Sequence, residues 1–410
     1  MSNKATAPKA SAIKFMLRAL KNRNYRLFFY GQSISLIGTW MQSVAVSWLV
    51  YSLTGSAFLL GVVGFASQIP ALILAPFSGV LADRFNKHRI IIITQTLAMI
   101  QAFALTFLAF TGTIEVWHIV VLSIFLGLVN AFDMPTRQSF VVEMVEDRQD
   151  LSNAIALNSL IFNGARLIGP AIAGIIISLA GEKICFLLNA VSYIAVIWAL
   201  LIMRIKTPQQ RQAKKHIWHE LKEGFSYAFG SLPIRYILML FALINLMGVS
   251  FNVLMPVFAK DILHGGPNTL GFLIGSAGFG ALLGAIFVAS RKETKNLTRL
   301  IPLAAALFGA GLSGFSFSRN IFLSYALMGV IGFGMMIQIA SSNTLLQTLT
   351  SDHLRGRVMS IYTMAFIGMV TLGSLLVGSL AGKIGAPHTL FFGGIFCLAG
   401  ALFFLDKSPF

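Results

Sequence analysis

Acidic residues are scarce: 14 aspartates and glutamates stand against 31 lysines and arginines in 410 residues. Cysteine is scarcer still. The two present, Cys185 and Cys397, sit inside apolar runs and read as small hydrophobes, which excludes a disulfide framework or a cysteine-held metal. Charged residues make up 11% of the chain and hydrophobic ones 56%, too little polarity to cover a soluble domain. A phosphate-binding G-x-x-x-x-G-K-[ST] loop is missing, since "GSLAGK" from Gly378 lacks its spacing, and "GFGALLG" from Gly278 lacks a dinucleotide pattern. His118, His264 and His388 have no nucleophile at useful spacing. These absences argue against ATP-driven transport, catalysis and any cofactor.

What remains is hydrocarbon-spanning helix. Apolar runs near the roughly 20 residues that cross a bilayer recur along nearly the whole chain. Twelve are expected: residues 25–51, 57–81, 89–110, 116–142, 153–179 and 185–203, then 235–258, 268–290, 299–317, 321–346, 356–382 and 389–405.

The net charge of +17 raises the question of a nucleic-acid partner. The basic residues instead sort by membrane side. The arm at residues 1–24, the loop with Arg84, Lys87 and Arg89, and the stretch from Arg204 to Arg235 are rich in them, whereas the alternate loops offer Lys183, Lys260, Arg319 and Lys383. This bias predicts a multi-pass protein of the bacterial cytoplasmic (inner) membrane with both termini cytoplasmic, a membrane-lipid environment and no nucleic acid.

The stretch 204–234 divides two blocks, 25–203 and 235–410. Its "HIWHELKEGFSYAF" segment places Ile217, Leu221, Phe225 and Ala228 at helical spacing, which suits an interfacial helix; His216 and His219 are read as part of it and not as a metal pair. The blocks repeat. "GLVNAFDMPTRQSF" from Gly127 lies over "GFGMMIQIASSNTL" from Gly332 at a shift of 205, and after a one-residue gap Gly169 and Gly174 meet Gly373 and Gly378. The expected fold is all-α, with twelve transmembrane helices in two pseudo-symmetric six-helix bundles and a substrate site between them.

"GVLADRFNKHR" from Gly79 sits between the second and third spans. Gly79 allows close helix approach, Asp83 accepts hydrogen bonds or pairs with a cation, and Arg84, Lys87 and Arg89 hold the turn inside. The stretch resembles the G-x-L-x-D-R-x-G-R-[KR] pattern of the major facilitator superfamily, with Asn86 in place of the second glycine. That resemblance implies a conformational latch that stabilises one transport state; the related loop "SRKETKNLTR" from Ser290 lacks the pattern, so the latch is one-sided. "GARLIGPAIAG" places Gly169, Pro170 and Gly174 in the fifth span and resembles the G-P-rich motif of proton-driven exporters. "NAFDMPTRQ", "ALNSLIFNGARLIGPAIAG" and "LRGRVMSIY" together resemble the transmembrane secretion effector branch, which includes the enterobactin exporter.

Three ionisable residues fall deep inside spans. Asp133 and Arg137, at i and i+4, form either a structural pair or a proton-exchanging one whose partner alternates between Arg137 and Arg166; Arg166 requires a partner in any case. A mixed-polarity cavity is expected from Gln32, Thr39, Trp40, Gln42, Asn130, Asn163, Asn245, Asn252 and Gln338. The reading that follows is a monomeric alternating-access transporter that exports an amphiphilic organic solute, siderophore-like or drug-like, in exchange for protons. A lipid or lysolipid flippase and a non-transporting membrane interaction protein are the alternatives.

Overall fold

The computed structural model describes residues 17–145, 147–205, 217–291 and 297–407, with side chains described throughout these except at 75–77, 79–84, 148–149 and 217–222. Twelve helices are long and apolar enough to cross a membrane. They are α1 (Arg23–Thr54), α2 (Ala57–Arg84), α3 (Lys87–Thr111), α4 (Val116–Met144), α5 (Arg148–Ala180) and α6 (Glu182–Leu201), then α7 (Leu232–Ile262), α8 (Pro267–Ala289), α9 (Leu297–Phe317), α10 (Ile321–Leu349), α11 (Asp352–Ile384) and α12 (Ala386–Lys407). Described residues contain no strand. Hydrocarbon offers no partner to a backbone N–H or C=O, so helices that satisfy their own are the available solution.

Most spans run a few residues past the apolar windows, because polar end turns continue a helix where water replaces lipid. Asn86, which stands where the family pattern has glycine, takes part in one such end: its side chain accepts the Arg89 N–H at 3.1 Å and caps α3. The segment 217–230 is helical as expected and precedes α7 as a linker helix, Ile217–Gly230. The seventh span is less regular than its apolar run suggested. Wide π turns at Ile244–Gly248 and Phe258–Ile262 flank a 3-10 stretch at Val249–Leu254.

Packing follows the repeat. In the first block α1 packs on α5 and α6, α2 on α4, and α3 on α4 and α6; in the second, α7 packs on α11 and α12, α8 on α10, and α9 on α10 and α12. Two symmetry-related contacts, α2 with α11 and α5 with α8, join the blocks. Because successive spans reverse and their number is even, the start of α1 and the end of α12 lie at one end of the bundle, here the terminal end. The turns at Gly55, Gly112, Gly181 and Gly385 lie at the other, the far end, each with a backbone in the left-handed region.

The far end is where the blocks close. A Cβ on Gly378 would lie 2.7 Å from the Cα of Gly61, and one on Gly174 would lie 3.2 Å from the Cα of Gly271 and 2.7 Å from the Pro267 carbonyl. The Tyr51 hydroxyl donates to Asp261 across the same boundary, with Lys260 Nζ 5.7 Å from the Tyr51 ring centroid. Among the described glycines, none nearer the terminal end than Gly368 of α11 and Gly278 of α8 shows such a contact between the blocks. Along α11, Gly368 has Leu72 at 3.2 Å, whereas Gly356 has nothing within 4 Å; along α5, Gly164 is likewise free.

Candidate functional site

Among the described residues, the one charged side chain that is buried sits on α4. Asp133 is 2% exposed and lies eleven residues from Met144, or about 16 Å at 1.5 Å per residue. A carboxylate at that depth is stable only when its oxygens are occupied. They are: Oδ1 accepts from Thr94 Oγ1 and Gln95 Nε2 of α3, both at 2.8 Å, and Oδ2 meets Arg137 Nη2 at 3.1 Å. Arg166 is not among the partners. Of the alternatives open from sequence, the conformation described here shows the Arg137 pair.

The repeat gives this site a neutral twin. At the shift of 205, Asp133 falls on Gln338 and Arg137 on Ser342. Gln338 Nε2 donates to Ser342 Oγ at 3.3 Å, the same i to i+4 link without charge. Gln338 and Ser342 are fully buried, and Gln338 Oε1 has no hydrogen-bond partner.

A second polar string runs through the first block. Asn189 Nδ2 donates to Gln42 Oε1 at 2.8 Å, and Gln42 Nε2 donates to Gln101 Oε1 at 3.0 Å. Gln42 is therefore engaged by α3 and α6. Other residues expected in the cavity bond their own helices: Thr39 to the Ser35 carbonyl, Asn163 to Ser159, Asn245 to Phe241 and Asn252 to Val249. Gln32 and Asn245 are buried, each with a side-chain oxygen unpartnered; Asn130 is partly exposed.

Arg166 of α5 is partly exposed and faces Trp40 of α1, its guanidinium carbon 5.9 Å from the ring centroid. Phe162 meets Trp40 edge to face at 6.0 Å. Gly169 is what lets α5 lie this close, since a Cβ there would be 2.7 Å from the Trp40 Cβ. Pro170 is buried in the same helix, and its carbonyl oxygen fills the space that a Cβ on Gly271 would need. The fifth-span motif thus serves two surfaces, Gly169 toward α1 and Gly174 toward α8.

Of the expected latch, the side chains of Gly79, Asp83 and Arg84 lie outside the described ones. Lys87 Nζ pairs with Glu143 Oε1 at 2.9 Å, tying α3 to α4, and Arg89 is exposed. At the same end Arg357 of α11 meets Glu223 of the linker helix at 2.5 Å. Thr94, Gln95, Glu143, Tyr51 and Asp261 had no signal in the sequence, because each finds its partner on a different helix. Cys185 and Cys397 are free and buried, one in each block.

The profile of the transmembrane secretion effector family matches residues 16–408. Similar curated proteins include the staphyloferrin A transporter of Staphylococcus aureus, 26% identical over 93% of this chain and 96% of its own. The multidrug efflux pump Tap of Mycolicibacterium fortuitum is 25% identical over 86% and 88%, and macrolide efflux protein A of Streptococcus pyogenes 23% identical over 92% and 96%. Among solved structures, the nucleoside transporter NupG superposes with a TM-score of 0.71 at 14% identity, over 95% of this chain and 99% of that one. A bacterial homologue of the lysosomal transporter Spinster, inward-facing and unoccupied, gives 0.73 at 12% identity, over 94% and 96%. The chain belongs to the transmembrane secretion effector family of major facilitator superfamily transporters, a family of carriers and not of enzymes.

Proposed function

We propose that this protein is an alternating-access exporter that expels an amphiphilic organic solute in exchange for protons. The observation that carries this reading is the uneven packing between the blocks: glycine lies against glycine at the far end, and among the described glycines no such contact recurs near the terminal end. With the termini cytoplasmic, as the distribution of lysine and arginine favours, the described conformation receives solute from the cytoplasm. Efflux relatives supply the direction.

Asp133 is the proposed proton carrier. A proton on its carboxylate cancels the charge opposite Arg137 and changes how tightly α3 and α4 hold one another, which biases the two states differently. Arg84, Asp83 and their loop are the proposed latch of the opposite state. The proposed working unit is a monomer, with a linker over 204–234 between blocks 25–203 and 235–410.

The test compares small molecules in cells and medium with and without the protein, with Asp133→Asn as control. A solute retained in its absence, released with wild type and released without dependence on the pH gradient in Asp133→Asn supports the reading. Normal pH-dependent release by Asp133→Asn would remove that residue from coupling.

A flippase reading has one observation in its favour. An apolar groove of about 620 Å³ lies along α5, α8, α9 and α10, lined in part by Leu167, Phe272, Phe279, Tyr325 and Phe333. Such a groove suits an acyl chain. Altered lipid asymmetry with unchanged soluble metabolites is the result that would select it.

A further inference from the structure

We propose that Arg166, backed by Trp40, is the receptor for an anionic group on the cargo, so that the transported solute carries a carboxylate or comparable oxyanion. The proposal deepens the export reading and rests on it for the word cargo; the site itself is tested without transport.

Depth is the first argument. Arg166 lies eighteen residues from the start of α5 and fourteen from its end, about 27 and 21 Å along the helix. A guanidinium so placed is normally paired, or faces a cavity that brings it an anion. Among the described residues Arg166 has no carboxylate within ion-pair distance. Its described neighbour is the Trp40 ring, and an aromatic face attracts a cation without neutralising it.

The deep acid of the same block is already spent. Asp133 gives Oδ1 to Thr94 and Gln95 and Oδ2 to Arg137. Two deep arginines against one deep aspartate leave the interior of the first block one positive charge in excess, and no described residue balances it. A bound oxyanion would do so, in the two-pronged geometry that guanidinium offers and ammonium does not.

Position is the third argument. Arg166 is partly exposed, and its carbonyl would lie 3.2 Å from a Cβ on Gly278 of α8, at the line where the blocks meet. The backbone of Arg166 thus lies against the second block while its guanidinium faces Trp40 of the first. Trp40 and Phe162, set edge to face beside it, offer a wall for an aromatic or flat portion of the bound anion.

The experiment uses the full chain in phosphatidylcholine nanodiscs and two fluorescent probes of one shape: dansylglycine, an anion at neutral pH, and dansylglycinamide, which is neutral. Wild type is expected to bind the anion roughly tenfold more tightly or better, the worth of a charge-assisted hydrogen bond. Arg166→Gln should bring the two affinities together, while Arg166→Lys keeps part of the preference; unchanged melting temperature and elution show that each variant is folded. Equal affinities in wild type, no binding of dansylglycine, or a preference that survives in Arg166→Gln would overturn the proposal. Repeating the titration with phosphatidylglycerol distinguishes the source of the anion: retained binding supports a solute, and displacement would overturn that in favour of a lipid phosphate. A protein that binds the anion yet moves nothing keeps the site and loses export; one that expels neutral solutes equally well as Arg166→Gln keeps export and loses the site.

Discussion

The Asp133–Arg137 pair shows what a single residue contributes at this depth. Removing one partner of a buried pair strands the other charge, at a cost of about 3–5 kcal/mol, whereas removing both leaves a neutral gap. Asp133→Ala should therefore lower the melting temperature of the purified protein markedly, and adding Arg137→Leu should recover much of the loss. A double variant no more stable than the single one would mean that Thr94 and Gln95, not Arg137, hold the aspartate. At this scale the sequence was legible where helix geometry alone decides, as in the i to i+4 spacing of Asp133 and Arg137. Thr94 and Gln95 lie 39 and 38 residues away, and no spacing rule reaches them. Gln42 illustrates the same limit in reverse: a polar residue on a span apolar all round gives no sign of which neighbour it faces, and its amide turned to Asn189 and Gln101.

Helices carry the contacts that decide which end is shut. α5 approaches α8 through Gly174, and any side chain there must push against the Pro267 carbonyl or the Gly271 Cα. Overpacking of this kind costs about 1–3 kcal/mol, which moves a closed-to-open ratio by roughly 5- to 150-fold. Spin labels at Leu53 and Lys383, both exposed at the far end, should report a longer second distance in Gly174→Val than in wild type. An unchanged distance distribution would show that the contact merely fills space. Element order was readable because the bilayer dictates length and hydropathy together. The π turns of α7 were not: the first packs on α11 and α12 and the second on α8, while the apolar run around Asn245 gave one unbroken signal.

At the scale of the whole chain, transport by two rocking blocks demands that the far end reopen. Gly382 and Phe58 offer a lock, because a Cβ on Gly382 would lie 3.9 Å from that of Phe58, inside the range of about 3.5–4.5 Å that a disulfide spans. Phe58→Cys with Gly382→Cys should lose solute flux on oxidation and regain it with reductant; flux through the oxidised form would argue against reopening between α2 and α11. The family was legible from local motifs such as "GVLADRFNKHR" and "NAFDMPTRQ", and the aligned glycines supported the repeat, since helix contact admits few residue types. Cargo was not, because recognition assembles from side chains on several spans. The neutral twin of the aspartate site has an electrical meaning. Membrane voltage does work only on charge that moves, about 2.3 kcal/mol per elementary charge per 100 mV. Asp133, Arg137 and Arg166 are deep in the first block, while Gln338 and Ser342 occupy the related place in the second. If the blocks rock as proposed, the field acts on charge carried by the first block and finds none at the related place in the second, which would make the first block the electrode of the machine and the second its dielectric.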